Sequence, residues 1–147
     1  MENFIIEHVP DLHNLEGLVE ESVGQGLALV RRLVEEWHSG ANRFDRPGEV
    51  LFVAQLSGCV VGVCGLNIDP YARDPAVGRV RHLYVSVGER RKGVGRALIG
   101  RVVAGARKSF KTLRLRTNSK DAAAFYEAIG FRPTDSHSQS THFLDLQ

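Results

Sequence analysis

The stretch that decides the fold is RRKGVGRALI, residues 90–99. Three cations run into Gly93-Val94-Gly95, and an apolar stripe then follows at helical spacing: Val94, Leu98, Ile99, Val102, Val103 and Ala106. Residues 80–85, just upstream, have the β-rich composition of a strand. A strand, a short loop and a helix with glycines in its first turn together make an anion site. The helix start offers unpaired N–H groups and the positive end of the dipole, and glycine lets a phosphate approach the backbone. Arg90, Arg91 and Lys92 add charge at the rim, so the expected ligand contains a pyrophosphate. The third glycine of a dinucleotide fingerprint is absent, since that position is Leu98, and there is no Gly-Lys-Ser/Thr phosphate loop.

The charge is unevenly placed. Residues 79–120 hold thirteen of the nineteen Lys and Arg residues and a single acid, Glu89, whereas residues 1–78 hold twelve acids against five bases. A basic middle in an acidic chain suggests an anionic ligand held there. No aromatic stacking signature or DNA-reading motif accompanies it, which favours a small polyanion over nucleic acid.

At 147 residues, 43% hydrophobic and 24% charged, the chain reads as one soluble domain, residues 1–147. No apolar run approaches the ~20 residues of a membrane helix. The opening MENFIIEHVPD lacks the features of a signal peptide, so a cytoplasmic location is expected. Cys59 and Cys64 are five residues apart in one β-rich run and would face opposite ways, as two buried thiols rather than a disulfide or a metal pair. His8, His13, His38, His82, His137 and His142 show no ligand spacing, and no metal site is expected.

The remaining pattern gives a strand over residues 4–9, then a helix N-capped by Asp11 and carrying Leu12, Leu15, Leu18 and Val19. A second helix carries Leu27, Val30, Leu33, Val34 and Trp37. Residues 50–55 and 59–67 form a hairpin about Leu56-Ser57-Gly58. Strands at 112–117 and 141–146 flank a helix that starts near Asp121 and ends at Gly130. The expected architecture is α/β with a mixed sheet, in the order β-α-α-β-β-β-α-β-α-β.

VRHLYVSVGERRKGVGRALI (80–99), followed by NSKDAAAFYEAIGF (118–131), resembles the GNAT superfamily of acyl-CoA-dependent N-acetyltransferases. Its first motif, Gln/Arg-x-x-Gly-x-Gly/Ala after a strand, is matched by Arg90, Gly93 and Gly95. Its second, an Ala-rich helix with a Tyr and a terminal Gly-Phe, is matched by Ala122, Phe125, Tyr126, Gly130 and Phe131. The resemblance implies acetyl transfer from acetyl-CoA, as cosubstrate, to an amine. It implies that the backbone of Leu83, Tyr84 and Val85 pairs with the pantetheine arm. The loop of Arg90, Arg91, Lys92, Gly93, Val94, Gly95 and Arg96 would wrap the pyrophosphate, and Tyr126 would protonate the departing thiolate. Two positions depart from the family. The Asn that many members carry seven residues before the Tyr is Ser119 here, leaving Asn118 one place early as the cofactor contact. The Glu base that some members carry fourteen residues before the first glycine is Arg79.

With that Glu missing, His82, Glu36 (beside Glu35) or water are the candidates to take the amine's proton. Cys64 has no partner base that would make it an acyl-carrying nucleophile. The acceptor is a small-molecule or peptide amine, with no nucleic acid or membrane partner and a homodimer left open. The acids of residues 1–78 lead to the expectation of an acidic cleft mouth that favours basic amines, with activity rising toward alkaline pH. The alternative reading is a regulatory module that binds acyl-CoA without turnover.

Overall fold

Alternation decides which way each strand faces. In the computed structural model, which describes residues 4–135 and 139–147, Leu51, Val53 and Val63 face one side of the sheet, while Phe52, Ala54, Cys64 and Leu66 face the other. His137 lies outside the described residues. The elements are β1 (Ile5–His8), α1 (Glu16–Gly24), α2 (Leu29–Ser39), β2 (Val50–Leu56), β3 (Cys59–Ile68) and β4 (Val77–Val85). They continue with α3 (Val94–Ala106), β5 (Thr112–Leu115), α4 (Lys120–Ala128), β6 (Arg132–Pro133) and β7 (His142–Asp145). The expected order holds, with the two-residue β6 added.

The sheet runs β1-β2-β3-β4-β5-β7-β6. Pairing is antiparallel from β1 to β4 and from β5 to β6, and parallel only between β4 and β5. One face packs on α3 and α4 through Leu98, Ile99, Val102, Tyr126 and Phe131. The other packs on α1 and α2 through Leu15, Leu18, Val30, Leu33 and Phe44. Gly65 of β3 sits under Phe44, and a Cβ there would run into the ring.

Two local expectations change. Asp11 does not cap α1, because the chain turns through Asn14 at φ 63° and the helix begins after Leu15, with no side-chain cap. Cys59 is exposed, since it opens β3 beside the hairpin turn, and only Cys64 is buried; both are free thiols. Among the described residues, no helix is long and apolar enough to cross a membrane, and no group of His, Cys, Asp and Glu is placed to hold a metal.

Candidate active site

β4 and β5 pair over three residues only: Val77 with Thr112, Gly78 with Leu113 and Arg79 with Arg114. Beyond Arg79 the two strands part. Just beyond that point β4 is irregular: Arg81 pairs with Gly65 and Tyr84 with Val63, so His82 and Leu83 stand opposite Cys64 alone. This is a β-bulge, with His82 in the left-handed region at φ 61°. It shifts the alternation by one. Arg81 and His82 both face α2, through Glu36 at 4.0 Å and through the Phe44 ring at 6.4 Å, whereas Leu83 and Val85 pack toward α3. Leu83, Tyr84 and Val85 thus lie on a stretch of β4 that β5 does not reach, an edge open to main-chain pairing.

At the end of β4 the chain makes a 3-10 turn (Val87–Glu89) and enters α3 through two left-handed residues, Arg91 at φ 64° and Gly93 at φ 86°. No side chain among the described residues caps α3, and the Ala97 N–H is the one that reaches the Gly93 carbonyl, at 3.0 Å. The N–H groups of Val94, Gly95 and Arg96 therefore have no acceptor within the helix. Gly95 is not in a left-handed conformation, and an added Cβ would meet Phe125 and Val85 at an ordinary 3.6 Å. Internal packing does not demand glycine at this position.

The cations of this loop are not equivalent. Arg91, Lys92 and Arg96 are exposed around the helix start. Arg90 folds back: its Nε donates to the Val85 carbonyl at 2.9 Å, its guanidinium lies 5.3 Å over the Tyr84 ring, and it reaches Gln25, just past the end of α1, at 3.4 Å. The Val85 carbonyl, one of the groups assigned to the pantetheine arm, is already engaged. Glu21 of α1 joins the same knot, accepting from the Tyr84 hydroxyl, the Ser86 hydroxyl at 2.8 Å and the Val87 N–H at 3.1 Å. Burial and Glu21 push the Tyr84 phenol up to about 12. Periodicity places Glu21 on a helix surface and gives no signal of this contact.

Tyr126 is fixed by the end of α4. The Phe131 N–H bonds the Tyr126 carbonyl at 3.0 Å and the Gly130 N–H bonds the Glu127 carbonyl at 3.1 Å, with Gly130 at φ 111°. This is a Schellman stop, and its accompanying contact is the Tyr126–Phe131 ring pair at 5.5 Å. The Gly-Phe of the motif therefore holds the Tyr in place. The ring is 7% exposed, and the hydroxyl makes no hydrogen bond among the described residues. Burial, with Cys64 nearby, pushes the phenol's pKa up, so it keeps its proton. Burial likewise pushes the Cys64 thiol up, which removes it as a nucleophile. Asn118 is exposed in the β5–α4 loop, and Ser119 caps α4 by accepting from the Ala122 N–H at 3.1 Å.

Arg79, at the position of the missing Glu, is a tether. It ion-pairs with Asp69 at 3.7 Å, lies 4.9 Å over the Tyr71 ring, and donates to the Gln139 carbonyl at 2.7 Å and the Ser140 hydroxyl at 3.3 Å. It thereby joins the β3–β4 loop to the segment before β7. His82 is neutral: burial, then the charges of Arg81 and Arg32, lower it to about 3. Its Nε2 is enclosed without a hydrogen-bond partner among the described residues. A pKa that low makes it a weak base.

Among the acids of residues 1–78, some are exposed and others are paired with β4. Glu16, Glu20, Glu35, Asp45 and Asp74 are exposed, and the carboxylates that meet the β4 arginines are Asp69 and Glu36. A pocket of about 330 Å³ is lined by residues such as Leu12, His13, Val34 and His38, none of them on β4 or α3.

The acetyltransferase (GNAT) domain model matches residues 47–133, the span that includes the open β4 edge, the α3 start and α4. A proposed acetyltransferase from Exiguobacterium sp. 255-15 superposes with a TM-score of 0.87 at 29% identity, covering 97% of this chain and 93% of its own. A proposed acetyltransferase from Salmonella typhimurium, solved with its cofactor acetyl-CoA, gives 0.73 at 16% identity over 98% and 94%. An N-acetyltransferase from Staphylococcus aureus Mu50 gives 0.71 at 16% over 99% of both chains. The family match spans more than half of the chain and falls on the elements that build the site, so the chain belongs to the GNAT acetyltransferase family.

Proposed function

We propose that the protein transfers an acetyl group from acetyl-CoA to a primary amine by direct attack, residues 1–147 acting as one catalytic domain. The observation that carries this reading is an open β4 edge that runs into an uncapped α3 start, with Val85 beside Gly95. The amides of Leu83 to Val85 suit an extended amide-bearing arm, and those of Val94, Gly95 and Arg96 suit a pyrophosphate. Arg91, Lys92 and Arg96 add positive charge there, and Asn118 sits beside the entrance to α4. Acetyl-CoA supplies an acyl group activated by a thiolate leaving group.

The chain's own contribution is mainly position and one proton. β4 aligns the reacting end with the gap near Arg79 and His82, and the packed α3 face keeps water from one side. Tyr126 holds a proton on its hydroxyl for the departing sulfur; its raised pKa keeps that proton available across the working range. The amine's proton has no carboxylate at the Arg79 position to receive it, and water is the acceptor consistent with a weakly basic His82. The same feature supports the second reading, a module that binds acyl-CoA without turnover.

Free acetyl-CoA at about a hundred times its Kd should add roughly 2.7 kcal/mol to stability. Release of free CoA with an amine panel then separates enzyme from binding module. Tyr126→Phe should lower kcat tenfold to ~100-fold while leaving acetyl-CoA affinity intact. Absence of a thermal shift with acetyl-CoA sinks both readings, and binding with no release for any amine favours the module.

A further inference from the structure

Four arginines converge where β4 and β5 part. Arg79 and Arg114 are register partners on parallel strands, so their side chains leave the same face. Arg81 follows two residues on along β4, with the alternation intact up to the bulge, and Arg116 lies two beyond Arg114. Leu113 and Leu115 occupy the α3 face of β5, which places Arg114 on the opposite face. The apolar cluster under α1 and α2 contains no residue of β5 or β7, so this part of the face is not covered by those helices.

The positive charge there exceeds its counter-charge. Asp69 serves Arg79 and Glu36 lies 4.0 Å from Arg81. Neither Arg114, partly exposed, nor Arg116, exposed, forms an ion pair with a described residue. Burial first, and then the nearby charges of Arg81 and Arg116, hold the Arg79 guanidinium below its ordinary pKa against the opposing pull of Asp69. These side chains are also separated from the pyrophosphate loop by the length of the open edge. From Arg81 to Val85 that is about 13 Å at ~3.3 Å per residue, which sets Arg81 apart from the loop at the α3 start.

Resting on the acetyltransferase reading above, we infer that the acceptor is a small amine carrying an oxyanion, a carboxylate or a phosphate, which Arg81, Arg114 and Arg116 hold on the face opposite α3. The guanidinium fork matches either oxyanion in a bidentate manner. Arg79, already engaged on both loops, positions the cluster. The amine of a molecule so held, a few bonds from its anion, lies at the apex of the gap, where the reacting end of the cofactor is placed.

The test compares amino acids with their decarboxylated amines, aminoalkyl phosphates with aminoalcohols, and both with spermidine, by CoA release and by calorimetry in the presence of CoA. The anionic member of each pair should be preferred by roughly tenfold or more in kcat/KM, or in Kd where turnover is not seen, and salt should reduce that preference. The better of the amino-acid and phosphate arms identifies the oxyanion. Arg114→Gln should raise KM for the anionic acceptor about tenfold with the Kd for acetyl-CoA unchanged, and Arg114→Glu should shift the preference toward spermidine. Equal use of both members of each pair, or preference for spermidine by the wild type, overturns the inference while leaving acetyl-CoA binding and the acetyltransferase reading untouched. Loss of acetyl-CoA binding in wild type would instead remove the reading beneath it.

Discussion

Gly93 and Gly95 share one motif but should respond to alanine with opposite signs. Gly95 is the second residue of α3, its φ is not left-handed, and a Cβ would lie 3.6 Å from Phe125 Cζ and 3.6 Å from Val85 Cγ2. The fold accepts that methyl, and alanine is the better helix former by about 0.8–1 kcal/mol in a helix interior and by less in a first turn. Gly95→Ala should therefore leave stability unchanged or raise it by up to about 1 kcal/mol, a Tm gain of up to roughly 3 °C at this chain length. The same methyl stands among the amides of Val94, Gly95 and Arg96, where a phosphate must come close. CoA affinity should fall tenfold or more, at least about 1.4 kcal/mol. At Gly93 nothing lies within 4 Å of an added Cβ, but φ is 86°, so Gly93→Ala should cost about 1–2 kcal/mol through the backbone. Thermal melts of both variants, with calorimetric titration of CoA, measure the two effects separately. A Gly95→Ala protein that binds CoA as the wild type does would refute the anion-loop assignment. One that is destabilised by 2 kcal/mol or more would refute the packing argument.

Arg79→Met should be among the most damaging single changes in this region. It leaves the fully enclosed Asp69 carboxylate without its partner and unties two loops, at about 3–5 kcal/mol or roughly a 10 °C loss in Tm. Adding Asp69→Asn should recover much of that loss, and a single variant that melts like wild type contradicts the tether. His82 sets an acid limit. Its folded pKa is depressed from 6.5 to about 3, so between those values the unfolded chain binds more protons. Stability is full above 6.5 and is lost as the pH falls, by at most about 1.4 kcal/mol per unit and less where water reaches the half-buried ring. His82→Asn, which also tolerates the left-handed backbone, should flatten the stability-against-pH curve in that window; an unchanged slope would place its origin elsewhere.

The element order, the glycine loop before α3 and the Tyr of α4 were legible in the residues because each is written in local chemistry. A stripe at helical spacing, glycine where the backbone must turn or be approached, and Gly-Phe after a helix act over a few positions. Even the Schellman stop that fixes Tyr126 needs only Gly130 and the apolar Phe131. What the sequence left open depends on distant segments meeting. The count placed Arg79 where a base was expected. Its partners lie ten residues upstream at Asp69 and about sixty downstream at Gln139 and Ser140, so its tethering role exists only in the folded chain. Averaging charge over residues 1–78 pointed to an acidic cleft, but an average does not locate charge, and only the folded chain brings Arg79, Arg81, Arg114 and Arg116 together. The bulge at His82 is a second feature that only the fold selects. One residue in the left-handed region shifts the β4 alternation and puts His82 on the same face as Arg81, just beyond the point where pairing with β5 stops. Histidine permits such a backbone without announcing it, and only the neighbouring strands select it.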